Sequence, residues 1–146
     1  MKVIVQRVMK AHCVVENETV SAIGPGFVLL VGFEQGDQLE QLDWMAQKIA
    51  KLRIFEDHQE KMNLDLQQVQ GEILSISQFT LAADITKGNR PSFVKAMEAQ
   101  QAQSYFTRFN EKLRSQGLVV KEGVFQAHME IHLVNDGPVT IIIERE

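Results

Sequence analysis

One cysteine, one tryptophan, one tyrosine and three prolines are all that 146 residues hold of these types. Cys13 has no partner for an internal disulfide, and a thiolate zinc centre needs more sulfur than one residue supplies. Cys13 is expected as a small buried hydrophobe. No apolar run approaches the roughly 20 residues that cross a bilayer. Gln6, Arg7 and Lys10 interrupt any signal-type apolar core near the start. A soluble, cytoplasmic chain is the expectation. Positive charge is also short, since 15 Lys+Arg against 19 Asp+Glu leave a formal charge of −4. General nucleic-acid binders carry an excess of cations, so composition leans slightly against RNA and leaves room only for a local basic patch. No linker, repeat or low-complexity stretch occurs. A single domain over residues 1–146 is expected, and a chain of this size buries roughly 70% of the surface its unfolded form exposes.

The common catalytic signatures are missing too. There is no P-loop, GxGxxG, GxSxG or HExxH. His128, Glu130 and His132 would project from one face of a strand, which makes a metal site thinkable. A solvated polar face is the simpler reading, because no fourth ligand or orienting partner can be named. No cofactor is expected.

What is present reads as alternating strands and helices. Lys2 to Val15 is rich in β-branched residues and predicts a strand. Thr19 to Ile23 predicts a second, and Gly24-Pro25-Gly26 a turn. Phe27 to Phe33 is continuously apolar, as suits a strand buried on both faces. Leu39, Leu42, Met45, Ile49 and Leu52 recur at helical spacing, with Asp37 as N-cap. Short extended pieces flank the polar loop at 57–61. Gly71 to Ser77 predicts a strand, Ser92 to Gln116 a helix with a break near Gln100, and Gly117 its C′ residue. Leu118 to Val120 and Val124 to Val134 predict strands, 135–138 a turn, and Val139 to Ile143 the last strand. About seven strands and two or three helices suggest a mixed, largely antiparallel sheet or barrel-like layer packed with helices.

Three segments stand out chemically. Ser77-Gln78-Phe79-Thr80-Leu81 clusters hydrogen-bonding side chains where a buried strand ends. Asn135-Asp136-Gly137-Pro138-Val139-Thr140 places a Gly-Pro between two strong strands, where proline breaks the ladder. Lys87-Gly88-Asn89-Arg90-Pro91-Ser92-Phe93 sets two cations on a loop ahead of a predicted helix, where a phosphate could be received. Each has a plain reading: a strand terminus, a hairpin turn and a solvated loop.

In this order, with Val5-Gln6-Arg7-Val8 and Gly123-Val124-Phe125, these segments resemble the D-aminoacyl-tRNA deacylase family from end to end. The resemblance implies a hydrolase that cleaves the ester joining a D-amino acid, or mischarged glycine, to tRNA. It would reject L-aminoacyl-tRNA and act as a chiral proofreader in translation. It implies a homodimer with active sites at the interface. Gly137 and Pro138 would form a cis dipeptide inserted into the partner's pocket, with Arg7 holding it. Ser77, Gln78, Phe79 and Thr80 would line the scissile ester, and Phe125 and Met129 would help bind substrate. Lys87, Arg90 and Lys95 are the candidates for contact with the tRNA acceptor end. The alternative from another class is a non-catalytic dimeric module that binds nucleic acid or protein.

Attraction alone separates D from L residues poorly, so a rigid wedge that collides with one hand is the expected device. Thr80 admits two roles. As a nucleophile it needs a base, and none is near in sequence. As a positioning group with Gln78, it leaves main-chain N–H groups to bind the oxyanion and the ribose 2′-hydroxyl to assist water. The second is preferred.

Overall fold

The computed structural model describes residues 1–146. The elements are β1 (Lys2–Val15), β2 (Glu18–Ile23), β3 (Gly26–Gly32), α1 (Leu39–Ala50), β4 (Phe55–Glu56), β5 (Met62–Leu64), β6 (Glu72–Ser77), a 3-10 turn (Phe79–Ala82), α2 (Ala99–Ser115), β7 (Val119–Glu122) and β8 (Glu130–Glu144).

The main sheet runs β2-β1-β3-β6-β7, with β8 added to β1. Strand β1 is antiparallel to β2, β3 and β8, whereas β3, β6 and β7 are mutually parallel. The sheet is therefore mixed, as expected. It curls until β2 also touches β6 and β7, giving a nearly closed, barrel-like layer with two helices packed on it. The apolar run at β3 is buried along its whole length except at Leu30, as a central strand requires.

Two apolar clusters hold this arrangement. The larger joins Val3, Val5, Phe27, Leu29 and Ile73 of the sheet to Leu42, Met45 and Ile49 of α1 and Phe109 and Leu113 of α2. The smaller holds Val8, Ala11, Cys13, Val28, Leu74 and Ile76. Strand β1 serves both by breaking its alternation: Arg7 and Val8, neighbours in sequence, are both buried. A strand of strict period two cannot do this, and a register irregularity lies at that point.

Several expectations need correction. Asp37 does not cap α1, because Gln38 occupies the N-cap. The Asp37 carboxylate instead accepts from the Met1 ammonium at 2.5 Å and from the Glu34 N–H at 2.7 Å. Helix α2 begins at Ala99, capped by Glu98. Residues 92–98 are not helical: Ser92 bridges to Asp84 and Ala96 to Glu34. Ser92 thus stands at no helix N-terminus. Strand β8 starts at Glu130, after a turn closed by the Ala127 N–H on the Val124 carbonyl. His128 consequently lies outside the strand that carries Glu130 and His132. No three His, Cys, Asp or Glu side chains are grouped to hold a metal. His132 stacks on His12 across the strands, with ring centroids 4.4 Å apart.

The last correction concerns Asn135 to Pro138, which is not a turn. Strand β8 continues through it as one 15-residue element. Gln6 pairs with Thr140 and Val8 with Asn135, so residues 136–139 face Arg7 alone. The surplus is expelled from the ladder as a bulge. Proline, lacking an N–H, fits a place where no ladder bond is made.

Candidate active site at the end of strand β6

The last bond of β6 to its neighbour is the Gln78 N–H on the Val31 carbonyl at 2.8 Å. The chain then leaves the sheet and coils into the 3-10 turn. Gly32 permits this, because a Cβ there would stand 2.9 Å from Leu81 Cβ and 3.0 Å from the Gln78 carbonyl. The turn opens with Phe79 and Thr80, whose N–H groups have no partner within it. The Gln78 side-chain amide donates to Thr80 Oγ1. Thr80 is thus held by a donor and not by a base.

Beside this strand end lies a cleft of about 270 Å3. Phe33, Phe79 and Phe125 supply its rings, and Ala99 and Ala102 bring the first turn of α2 to its wall. Ser77 and Gln126 are its polar side chains. Phe79 is 57% exposed and meets Phe93 edge to face at 5.1 Å. An exposed ring at the wall of a mostly apolar cleft, braced from behind by the half-buried Phe93, suits a flat ligand.

The second candidate segment lies elsewhere. The Gly137–Pro138 bond is cis, and both residues are exposed. Arg7 is 3% exposed and holds this bulge from beneath. Its Nε donates to the Asp136 carbonyl at 3.1 Å, and its Nη1 to the Ile54 carbonyl at 2.5 Å and to Glu56 Oε2 at 2.9 Å. Phe55 lies under the guanidinium, 5.8 Å from centroid to Cζ. The Glu56 carboxyl is held below its usual range, first by its own backbone N–H and then by Arg7.

Arg7 pairs with Phe27 and Phe27 with Ile73, so the bulge sits three strands and four residues from Ser77. At about 4.8 Å per strand and 3.3 Å per residue, that is on the order of 20 Å along the sheet. No residue of β8 lines the cleft. Within one chain, then, the two motif segments do not meet.

The remaining candidates divide. Phe125 lines the cleft, whereas Met129 packs against the smaller core cluster. Lys87 and Arg90 are exposed on the loop. Lys95 lies 3.6 Å from Asp84, whose carboxyl is held low, chiefly by the Thr86 hydroxyl and N–H. The sequence reading missed Gln126 and Phe33 in the cleft, and Ile54 and Glu56 as the anchors of Arg7. These residues come from distant elements and share no local pattern.

This fold, with a cleft at a strand end and a buttressed bulge, is a nearly closed mixed barrel packed with two helices. A solved structure named "Structural Analysis of a probable eukaryotic D-amino acid tRNA deacylase" matches it with a TM-score of 0.84 over 97% of both chains, at 17% identity. Another, named "c-Myc DNA Unwinding Element Binding Protein", matches with a TM-score of 0.93 at 43% identity, over 100% of this chain and 99% of that one. A D-aminoacyl-tRNA deacylase of an Exiguobacterium species is 51% identical over 99% of both chains. One of Bifidobacterium longum is 54% identical over 100% of this chain and 95% of its own. The profile of the family described as D-Tyr-tRNA(Tyr) deacylase matches residues 4–144, and the chain belongs to that family.

Proposed function

We propose that this chain hydrolyses the ester of D-aminoacyl-tRNA, releasing the D-amino acid and tRNA, and spares the L-ester. Near-identical length and about half-identical sequence to proteins named for that activity support the reading. One observation carries it further: the Gly137–Pro138 bulge is held by Arg7 yet lies on the order of 20 Å along the sheet from Ser77, and no residue of β8 lines the cleft. A second copy would supply it. Strand β8 has an unpaired outer edge 15 residues long, bearing exposed Leu133, Val134 and Ile142. Such an edge invites a partner. The working form is a homodimer in which each bulge enters the other's cleft. There the bulge collides with an L side chain and passes a D residue or glycine.

Chemistry would proceed without an acid–base pair. An aminoacyl ester is already activated by its ammonium. An acceleration of about 10⁴–10⁶ needs roughly 5.5–8 kcal/mol. Each aimed oxyanion donor contributes about 2.7–4 kcal/mol. The N–H groups of Phe79 and Thr80 are suited to that role, with Gln78 and Thr80 positioning the substrate. Lys87 and Arg90 would meet acceptor-end phosphates.

The name of the 43%-identical structure favours a second reading, a nucleic-acid-binding module without catalysis. One assay separates the two: incubation with D-tyrosyl-tRNA and L-tyrosyl-tRNA. Rapid loss of the D-ester alone is expected. Equal stability of both esters, with tRNA bound, would sink the deacylase reading.

A further inference from the structure

Gln126 occupies a backbone conformation that its residue type disfavours. It is the third residue of the turn closed by Ala127 N–H on Val124, and its φ is +63°. Glycine and asparagine are favoured at a left-handed turn position, and any other side chain carries a steric cost there. Glu16, Asn17, Glu60 and Gln70 share this region of φ, but none of them lines the cleft. Gln126 does, next to Phe125 and across from Ser77 and Phe79. The side-chain amides of Gln6, Gln35, Gln38, Gln41 and Gln78 all donate hydrogen bonds within the chain. Gln126 is exposed and, like Gln47, Gln59 and Gln100, makes no side-chain hydrogen bond, but of these it alone lines the cleft, whose other polar side chain is Ser77.

We infer that Gln126 is a substrate-positioning residue, its amide hydrogen-bonding the polar edge of a planar ring seated among Phe33, Phe79 and Phe125. This rests on the proposed deacylase reading and adds a specificity element to it. The ring has the chemistry of a nucleobase or of an aromatic amino-acid side chain. A carboxamide offers a donor and an acceptor side by side, which fits either a base edge or a phenol. Aromatic faces with one amide at the edge are how unstacked bases are held. The backbone cost is then offset by the contact with substrate, and no structural bond of the protein depends on the amide.

The test uses full-length Gln126→Gly and Gln126→Leu with D-tyrosyl-tRNA, D-alanyl-tRNA, and D-tyrosyl-tRNA ending in a purine riboside without the exocyclic amine. Loss of one neutral hydrogen bond should raise KM roughly three- to tenfold at nearly constant kcat. The melting temperature of Gln126→Gly should be unchanged or higher, since glycine relieves the turn. A loss seen with both amino acids but absent on the amine-free terminus assigns the contact to the base. A loss seen only with tyrosyl assigns it to the side chain. Unchanged KM on every substrate, or a KM rise matched by a fall in melting temperature in both variants, overturns the inference. Failure of the wild-type chain to cleave any D-ester would instead refute the deacylase reading.

Discussion

Arg7 and Gly137 are in contact through the backbone of β8: a Cβ on Gly137 would lie 3.2 Å from Arg7 Nη2, and Arg7 Nε holds the preceding carbonyl at 3.1 Å. The guanidinium spans three acceptors at once, on Ile54, Glu56 and Asp136. A lysine ammonium has no planar fork and cannot reproduce this. Arg7→Met should cost about 2–4 kcal/mol of stability by denaturant titration, because charge-assisted bonds are lost and the buried Ile54 carbonyl is left unpaired. Arg7→Lys should cost less yet still lower D-over-L selectivity at least severalfold. Selectivity equal to wild type in a folded Arg7→Lys protein would show that Arg7 does not orient the bulge.

Gly137 is constrained from two sides. Its φ is +120°, and a Cβ would stand 2.8 Å from Val139 Cγ2 and 3.1 Å from the Val139 nitrogen. Both the backbone conformation and the space exclude other residues. Gly137→Ala is expected to lose about 1–3 kcal/mol and to rebuild the bulge. The L-ester should then be cleaved at a rate approaching that of the D-ester, measured by single-turnover deacylation. Intact discrimination would remove Gly137 from the chiral filter.

Acid should loosen the rim of the site before the core. The carboxyls of Asp84 and Glu56 are both held low, Asp84 by Thr86 and Glu56 by its own N–H and by Arg7. A carboxyl with a depressed folded-state value stabilises the fold above its unfolded value. That contribution fades as pH falls from about 4 through the lower folded value. The melting temperature should therefore be flat from pH 7 to 5 and fall below about 4. Asp84→Asn should flatten the fall and increase hydrogen exchange in residues 84–92. An unaltered acid limb in that variant would exclude Asp84 as a contributor.

Much of this fold was legible because period and burial agree. The apolar run of β3 and the helical spacing of α1 each admit one arrangement. The failures have local physical causes. Asn135 to Pro138 has the composition of a turn, but β1 pairs with β8 on both sides of it, and the surplus is absorbed as a bulge. Phe93 and Met97 have helical spacing, yet isolated bridges at Ser92 and Ala96, with a turn between them closed by the Ala96 N–H on the Phe93 carbonyl, keep that segment out of a helix. The strand-end motif of the site was visible as adjacent residues. Its cleft was not, because Phe33, Ala102 and Gln126 are brought together only by tertiary packing. The bulge and the cleft belong to one site only if two chains combine, which no reading of one sequence's spacing can reveal.

The exposed cations of the 83–92 loop should act on tRNA and not on stability. Lys87, Arg90 and Lys95 are all exposed, but the Lys95 ammonium already has a counter-charge in Asp84 at 3.6 Å. Lys87→Ala/Arg90→Ala should raise the KM for D-aminoacyl-tRNA and lower the slope of log KM against log salt by roughly 1.4–1.8. Its melting temperature should match wild type. Lys95→Ala should leave the salt slope unchanged. A double variant with the wild-type slope would place the phosphates elsewhere on the surface.

Thr80 is exposed on the turn that leaves β6 and has the hydrogen bonding of a spectator. Its Oγ1 accepts from the Gln78 amide, which cannot take a proton from it. A hydroxyl with no base attacks esters poorly. Thr80→Ala should therefore keep kcat within about tenfold of wild type, the span of a lost positioning bond. Gln78→Ala should have a similar effect, and the double variant little more, because the two side chains act as one unit. A substrate whose terminal ribose lacks the 2′-hydroxyl should be cleaved at least a hundredfold more slowly, if that hydroxyl aids the attacking water in place of a protein base. Mass-spectrometric capture of an acyl group on Thr80 in acid-quenched turnover would reverse the assignment. Water would then enter only in the second of two steps.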